Sequence, residues 1–370
     1  MIISIQREKL IEPLKQMVGV SEKKQSMPIL GNILIRGGGG SLLLVSSDLE
    51  VEVSTVVEHG SGEDFNTTLP ARKFLDILKS LPGSDLVEID IGETKAVIKS
   101  GKSKFTLASL PGAEFPYKEE NNEFKFSVSG MDLDNLIGQT GFSMATQDAR
   151  HFLNGMFLEV LENKLTVVAT DGHRLSMSSA QTKNPTDGPV SCIIPRKCII
   201  EIKRILTTFK DNKENMVEFM VTAREIIIKI GDFIVKSKLI EGNYPDYKKV
   251  FPESLPHKLT SNKQDLKSAL QRMAILSNEQ FKGVKLSLNK TDIKLSTNNP
   301  SLEEGEDSIP CEYSGESFDI GFNLSYLLEV IDVISSDNIE IQLNNADSGC
   351  LISSKDETSM NKYIIMPMRV

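Results

Sequence analysis

Cysteine is scarce and unpatterned in this 370-residue sequence: there are four, with no C-x-x-C among them. The closest pair, in CIIPRKC, fits no zinc-ligand spacing, so Cys192, Cys198, Cys311 and Cys350 read as buried, reduced thiols of a cytosolic protein. Histidine is equally thin. His59, His151, His173 and His257 are scattered with no H-x-H pair, so no metal site and no cofactor is expected. No apolar run approaches a membrane span, and MIISIQREKLIEPLK lacks the apolar core of a signal peptide. A cytoplasmic protein without membrane contact is expected. A complete phosphate loop is missing too: SGKSKF ends like one, but its required glycine falls at Ala96 and a strand follows. Positive charge is in deficit, with 42 Lys and Arg against 51 Asp and Glu for a net charge of −9. By its sum alone this disfavours nucleic acid, although distribution matters more than total.

What is present fits a soluble globular chain, 39% apolar and 25% charged, and too long for one ordinary core. Three segments align without gaps. LGNILIRGGGGSLLLVSSDLEVEVS starts at Leu30, LNGMFLEVLENKLTVVATDGHRLSMS at Leu153, and FKGVKLSLNKTDIKLSTNNPSLEEGE at Phe281. Ile35, Leu158 and Leu286 share one column; Leu42, Leu165 and Ile293 share another. Alternating apolar residues predict a strand, a turn and a second strand in each. Helical spacing predicts a helix after each hairpin, over 69–81, 194–206 and 322–334, and one before it, over 7–17, 131–142 and 264–276. FPY at Phe115, YPDY at Tyr244 and MPM at Met366 punctuate the ends. The expected fold class is α+β, three tandem units of two helices and a sheet, spanning 1–121, 122–253 and 254–370.

The repeat disposes of two decoys. Gly37–Gly40 aligns with VLEN of the second unit and reads as a hairpin turn, not a phosphate loop. ATDGHRLSMSS, Ala169–Ser179, looks like an active site, with Asp171, His173 and Ser176 as a hydrolase's residues. Its columns read SSDLEVEVS and TNNPSLEEG elsewhere, so the His and Arg belong to the middle unit alone. Triads are usually assembled from distant loops, and no further catalytic partner can be named. A structural turn histidine remains open; a binding loop is preferred, and no residue is assigned as catalytic.

Charge is segregated. The helix after Pro195 carries Arg196, Lys197, Lys203 and Arg204; the first unit offers Arg72, Lys73 and Lys79, and the third Lys263, Lys267 and Arg272. The acids gather in expected loops such as Glu303–Asp307. Basic helices recurring across the units suit sequence-independent contact with a DNA backbone. The helix over 322–334 has no Lys or Arg, so the pattern is incomplete. A repeat-built scaffold that never meets nucleic acid would have no reason for such recurrence.

PILGN at Pro28, PARKF at Pro70, LNGM at Leu153, ATDGHRL at Ala169, PRK at Pro195, YPDY at Tyr244, AILSNEQFKG at Ala274, GFNLSY at Gly321 and MPMRV at Met366 are spread over the whole chain. Together they resemble the bacterial DNA sliding clamps, the β subunits of DNA polymerase III. The resemblance implies a non-catalytic processivity factor: a head-to-tail homodimer closing a six-domain ring around double-stranded DNA. Its partners would be the replicative DNA polymerase, the clamp loader and other proteins carrying clamp-binding peptides.

The same resemblance implies site residues. The peptide pocket would comprise Leu153, Thr170, Gly172, His173, Arg174, Leu175, Pro245 and Val250, with Ile364, Ile365, Met366, Pro367, Met368 and Arg369 from the final strand and tail. Asn323 and Tyr326 would border the groove. Met and Leu walls suit varied apolar side chains. Lys249 stands where the family commonly has Arg, and Val370 where it commonly has Leu. DNA would be met by Lys24, Arg72, Gln147, Arg150, His151, Phe152 and Lys197, with His151 and Phe152 replacing a pair of tyrosines often found. The dimer would pair Lys73, Ile77, Phe105 and Leu107 with Ile275, Leu276, Glu303, Glu304 and Glu306 of the other copy, a heterologous contact.

Overall fold

The structure is a computed structural model that describes residues 1–370 except 22–26, 60–63, 83–85, 119–122, 185, 187, 210–214, 253–254, 356–359 and 370. Among the described residues the six α-helices are α1 (Arg7–Met17), α2 (Ala71–Ser80), α3 (Gly130–Thr140), α4 (Arg196–Thr208), α5 (Lys263–Ala274) and α6 (Leu324–Val333). All six lie where apolar spacing predicts them. In α2 the buried residues are Ala71, Phe74, Leu75 and Leu78, one stripe at i, i+3, i+4 and i+7. Asn262 and Asn323 start α5 and α6 by accepting two backbone N–H groups each with their side-chain oxygens.

The glycine run is a hairpin turn. Asn32–Gly38 and Ser41–Ser47 are paired strands, and Gly39 and Gly40 both have positive φ, +58° and +83°, as a two-residue turn of the I′ kind requires. SGKSKF likewise forms a tight hairpin, with Ser100 opposite Ser103.

Two compact units make up the chain. One comprises Met1–Asp134, Thr182–Asp187 and Ile194–Leu239; the other comprises Asn135–Gln181, Gly188–Ile193 and Ile240–Val370. Each contains a four-stranded and a nine-stranded antiparallel sheet. In the first unit the four strands run in the order Ile2–Gln6, Leu86–Ile91, Lys95–Ser100, Ser103–Ala108. In the second the order is Glu304–Pro310, Asp292–Asn298, Gly283–Leu288, Phe318–Asn323.

The nine-stranded sheets run from one repeat into the next. In each of them a strand at the end of one repeat pairs with the strand that follows the hairpin of the repeat before it. Phe233–Lys238 lies against Val51–Glu58, with Lys236 opposite Glu52. Lys362–Ile365 lies against Arg174–Gln181, with Ile364 opposite Leu175. An unpaired edge is a liability, and continuing the sheet into the next repeat removes it. Inside, the third repeat's core joins Leu266, Leu270 and Met273 of α5 to Leu327, Val330 and Ile331 of α6.

Candidate functional site

The stretch Ala169–Ser179 ends one strand, turns, and begins another that joins two repeats. Asp171 Oδ1 accepts the backbone N–H groups of His173 at 2.9 Å and Arg174 at 3.0 Å, closing an Asx turn. Thr170 Oγ1 accepts the N–H of Gly172 and donates to the carbonyl of Arg174. Gly172 sits at φ +89°, and a Cβ there would come within 2.9 Å of the Arg150 guanidinium. These residues do not converge for catalysis. The Asp171 carboxylate is engaged by backbone N–H groups and Arg174, while the fully buried Ser176 bonds Ser143 Oγ at 2.6 Å. Three of the thiols are held protonated: burial pushes Cys198 and Cys350 up to about 12 and Cys311 to about 11.

The floor of the expected pocket is apolar. Val168, Leu175, Tyr247 and Ile364 form a buried cluster, with Phe157, Met177, Tyr244, Phe251 and Leu351 packed on it. Phe157 and Tyr244 stack at 4.8 Å between centroids. Leu153 is buried in the short turn His151–Leu153 nearby in the chain. Pro245, Val250 and Met366 are exposed, and the N–H of Met366 donates to the carbonyl of His173 at 2.8 Å, tying the tail to the turn. Farther along, the N–H of Met368 bonds the Gly321 carbonyl. Met368 and Arg369 line a separate recess of about 480 Å³ with Asn278, Phe281, Leu302 and Glu304. Pro367 is half-buried between these two stretches of tail.

Three expected pocket residues have other employment. Ile365 points to the opposite face from Ile364 and is part of the third repeat's core, because successive strand side chains alternate. Asn323 spends its side-chain oxygen capping α6. Arg174 is only 8% exposed and turns inward. Its Nε donates to Asp171, Nη1 to Glu329 and Nη2 to the Phe142 carbonyl, and the guanidinium lies 4.3 Å from the Tyr326 ring centroid. Sequence reasoning missed Glu329. The signal available was the acid on the one second helix that lacks Lys and Arg.

Among the expected DNA contacts, Gln147, Arg150 and His151 are exposed and Phe152 is half-buried, all within one short segment. Arg150 clasps Asp148 through Nε and Nη2 and also donates to the Asp171 carbonyl. The Arg150 hydrogen bonds hold the Asp148 carboxyl down at about 2. Arg72 is exposed on α2, whereas Lys197 is half-buried and bonded to Asp48. Lys24 lies outside the described residues. The expected charge segregation is blunted: Lys203, Arg204, Lys267 and Arg272 are each paired with an acid of this chain. Arg72, Lys73 and Lys79 make no ion pair among the described residues.

The expected dimer residues sit at two sheet edges. Phe105 and Leu107 are on the edge strand Ser103–Ala108, with exposed Lys73 and half-buried Ile77 on α2. Glu304 and Glu306 are on the edge strand Glu304–Pro310, beside Glu303. Ile275 is 78% exposed just after α5, with Leu276 half-buried next to it.

Three repeats of one α+β unit, with sheets running from repeat to repeat and an apolar cluster where two repeats join, define a DNA-clamp fold. Family models for the DNA polymerase III beta subunit match in succession: the N-terminal domain over residues 1–119, the central domain over 127–246 and the C-terminal domain over 248–369. The beta sliding clamp of Pseudomonas aeruginosa is 41% identical and that of Escherichia coli K12 is 38% identical, each matched over 100% of both chains. A crystal structure of the DNA polymerase III subunit beta from Pseudomonas aeruginosa superposes with a TM-score of 0.95 at 40% identity over 100% of both chains. The chain belongs to this family, the β sliding clamps of DNA polymerase III.

Proposed function

We propose that the chain is a DNA polymerase processivity factor that works without catalysis, as a head-to-tail homodimer closed around duplex DNA. The observation that carries the closure is topological. At both internal junctions the strand after a repeat's hairpin pairs with the last strand of the next repeat. Two strands in those same roles are left at sheet edges, Glu304–Pro310 of the third repeat and Ser103–Ala108 of the first. A second copy would supply each with its counterpart, and two such contacts would close a ring. Carrying over the register of Phe233 with Thr55 sets Lys104 opposite Glu306 and Phe105 opposite Gly305. Opposite charges then face each other, and an aromatic ring lies over a residue with no side chain. Ile275 and Leu276 add an apolar centre.

Basic residues that stay unpaired, Arg72 foremost, and the exposed 147–151 segment suit weak contact with phosphates, while retention comes from encirclement. The 170–175 turn, Pro245, Val250 and Met366 would form an apolar site for short peptides of the polymerase, the loader and other partners, with Met368 and Arg369 lining the recess beyond it. Affinities of roughly micromolar order fit so small a buried area. The test is release after linearisation. Protein loaded on a nicked circle should stay bound at moderate salt and run off once the circle is cut; equal retention on linear DNA with free ends would refute encirclement.

A further inference from the structure

We infer that Glu329, on α6, is a positioning residue for the pocket: it acts through Arg174 to hold the 170–175 turn in its binding shape. The inference rests on the peptide-pocket reading above. A buried guanidinium keeps its charge and needs compensation where it sits. Arg174 is buried, and its own turn supplies one carboxylate, Asp171. That group is already committed through its other oxygen to the N–H groups of His173 and Arg174. Phe142 adds a neutral carbonyl. The second countercharge is Glu329, from a helix remote in sequence. Tyr326, three residues earlier on the same face of α6, lays its ring against the same guanidinium.

Without Glu329 the cation would keep a single carboxylate. It would then turn toward water or draw Asp171 away from the backbone it caps. Either response moves the His173 carbonyl, which holds the Met366 N–H, so both walls of the pocket shift together. The first internal junction carries a tie of the same kind with its polarity reversed. Asp48, in the alignment column of Asp171, binds Lys197 on α4. An ion pair from hairpin to second helix thus recurs at both junctions, built from different residues.

The test measures affinity for a labelled short peptide with leucine and phenylalanine anchors and one polar residue. Glu329→Ala should weaken it about tenfold, the scale of a lost charged hydrogen bond, and Glu329→Gln should weaken it less. Arg174→Ala should weaken binding to a similar degree, and adding Glu329→Ala to it should change nothing more. Sedimentation and the thermal midpoint should stay near wild type. A residue that merely props the fold would instead give additive losses. Wild-type affinity in Glu329→Ala, or additivity with Arg174→Ala, would overturn the inference. A chain lacking residues 366–370 separates the two claims. If it fails to bind while Glu329→Ala binds at full strength, only the positioning role falls; if it still binds, the pocket reading falls.

Discussion

The two internal junctions have the same strands in the same roles, yet they present different chemistry at matching positions. At the second, Leu175 faces Ile364 and the surrounding tyrosines bury an apolar floor. At the first, the corresponding pair is Glu52 and Lys236, half-buried, beside a recess of about 190 Å³ that includes Leu43, Tyr117, Lys118 and Ile234. Backbone pairing is what the fold demands at a junction, since it satisfies the N–H and C=O groups of an edge. The side chains on the outer face are left open to choice. One junction spends them on charge, the other on Leu and Ile, and the proposed peptide site lies at the second. The proposed third junction, between copies, would use the two edges left at Ser103–Ala108 and Glu304–Pro310.

The largest expected effect lies at that third junction. Ile275→Asp with Leu276→Asp buries charge without partners, and a cost of about 3–5 kcal/mol should leave only monomer in sedimentation at micromolar concentration. Next is the apolar junction. Deleting residues 366–370 should abolish peptide binding, read by fluorescence anisotropy, while the dimer persists. The comparison can then be reversed in one protein. Leu175→Glu with Ile364→Lys imports the first junction's pair, and losing the apolar floor should cost peptide binding about 2–3 kcal/mol while the sheet stays joined. Its mirror, Glu52→Leu with Lys236→Ile, should gain no peptide affinity, because the counterpart of Met366, whose N–H bonds the Glu50 carbonyl as that of Met366 bonds His173, is the charged Lys238.

Smaller effects concern the turn's surroundings. His173→Ala should weaken peptide binding only a few-fold, since the exposed ring borders the site while the backbone carbonyl holds the tail. The Asp148 carboxyl should titrate near 2 by NMR and return toward the ordinary 3.8 in Arg150→Ala. Its folded value lies below the unfolded one, so the pair's contribution is complete above about 3.8 and is lost as pH falls through about 2.

Hairpins and helices were legible because period two and period 3.6 are written locally, and the glycine turn was legible from its alignment column. The sheet that crosses between repeats was not. Val51–Glu58 and Phe233–Lys238 lie far apart in sequence, and nothing in either names its partner. Resemblance proposed Leu175 and Ile364 for one site and folding sets them opposite each other, but the inward turn of Arg174 could not be read. Its acid, Glu329, is 155 residues away, and a helix without Lys or Arg looked like a gap in a basic pattern. Asn323 carried a legible cue: an asparagine just before a helical stripe is a cap first. The expected charge segregation overreached, because counting basic residues ignores acids brought beside them by folding.

The claim that a third, equivalent junction forms between two copies is tested most directly by its register. A chain carrying Lys104→Cys and Glu306→Cys together should oxidise to a covalent dimer, seen on a non-reducing gel. Each single variant should stay monomeric on that gel, since the native thiols are largely buried. If the double variant sediments as a dimer yet forms no cross-link, or if Lys104→Cys alone forms one, the proposed head-to-tail pairing is contradicted.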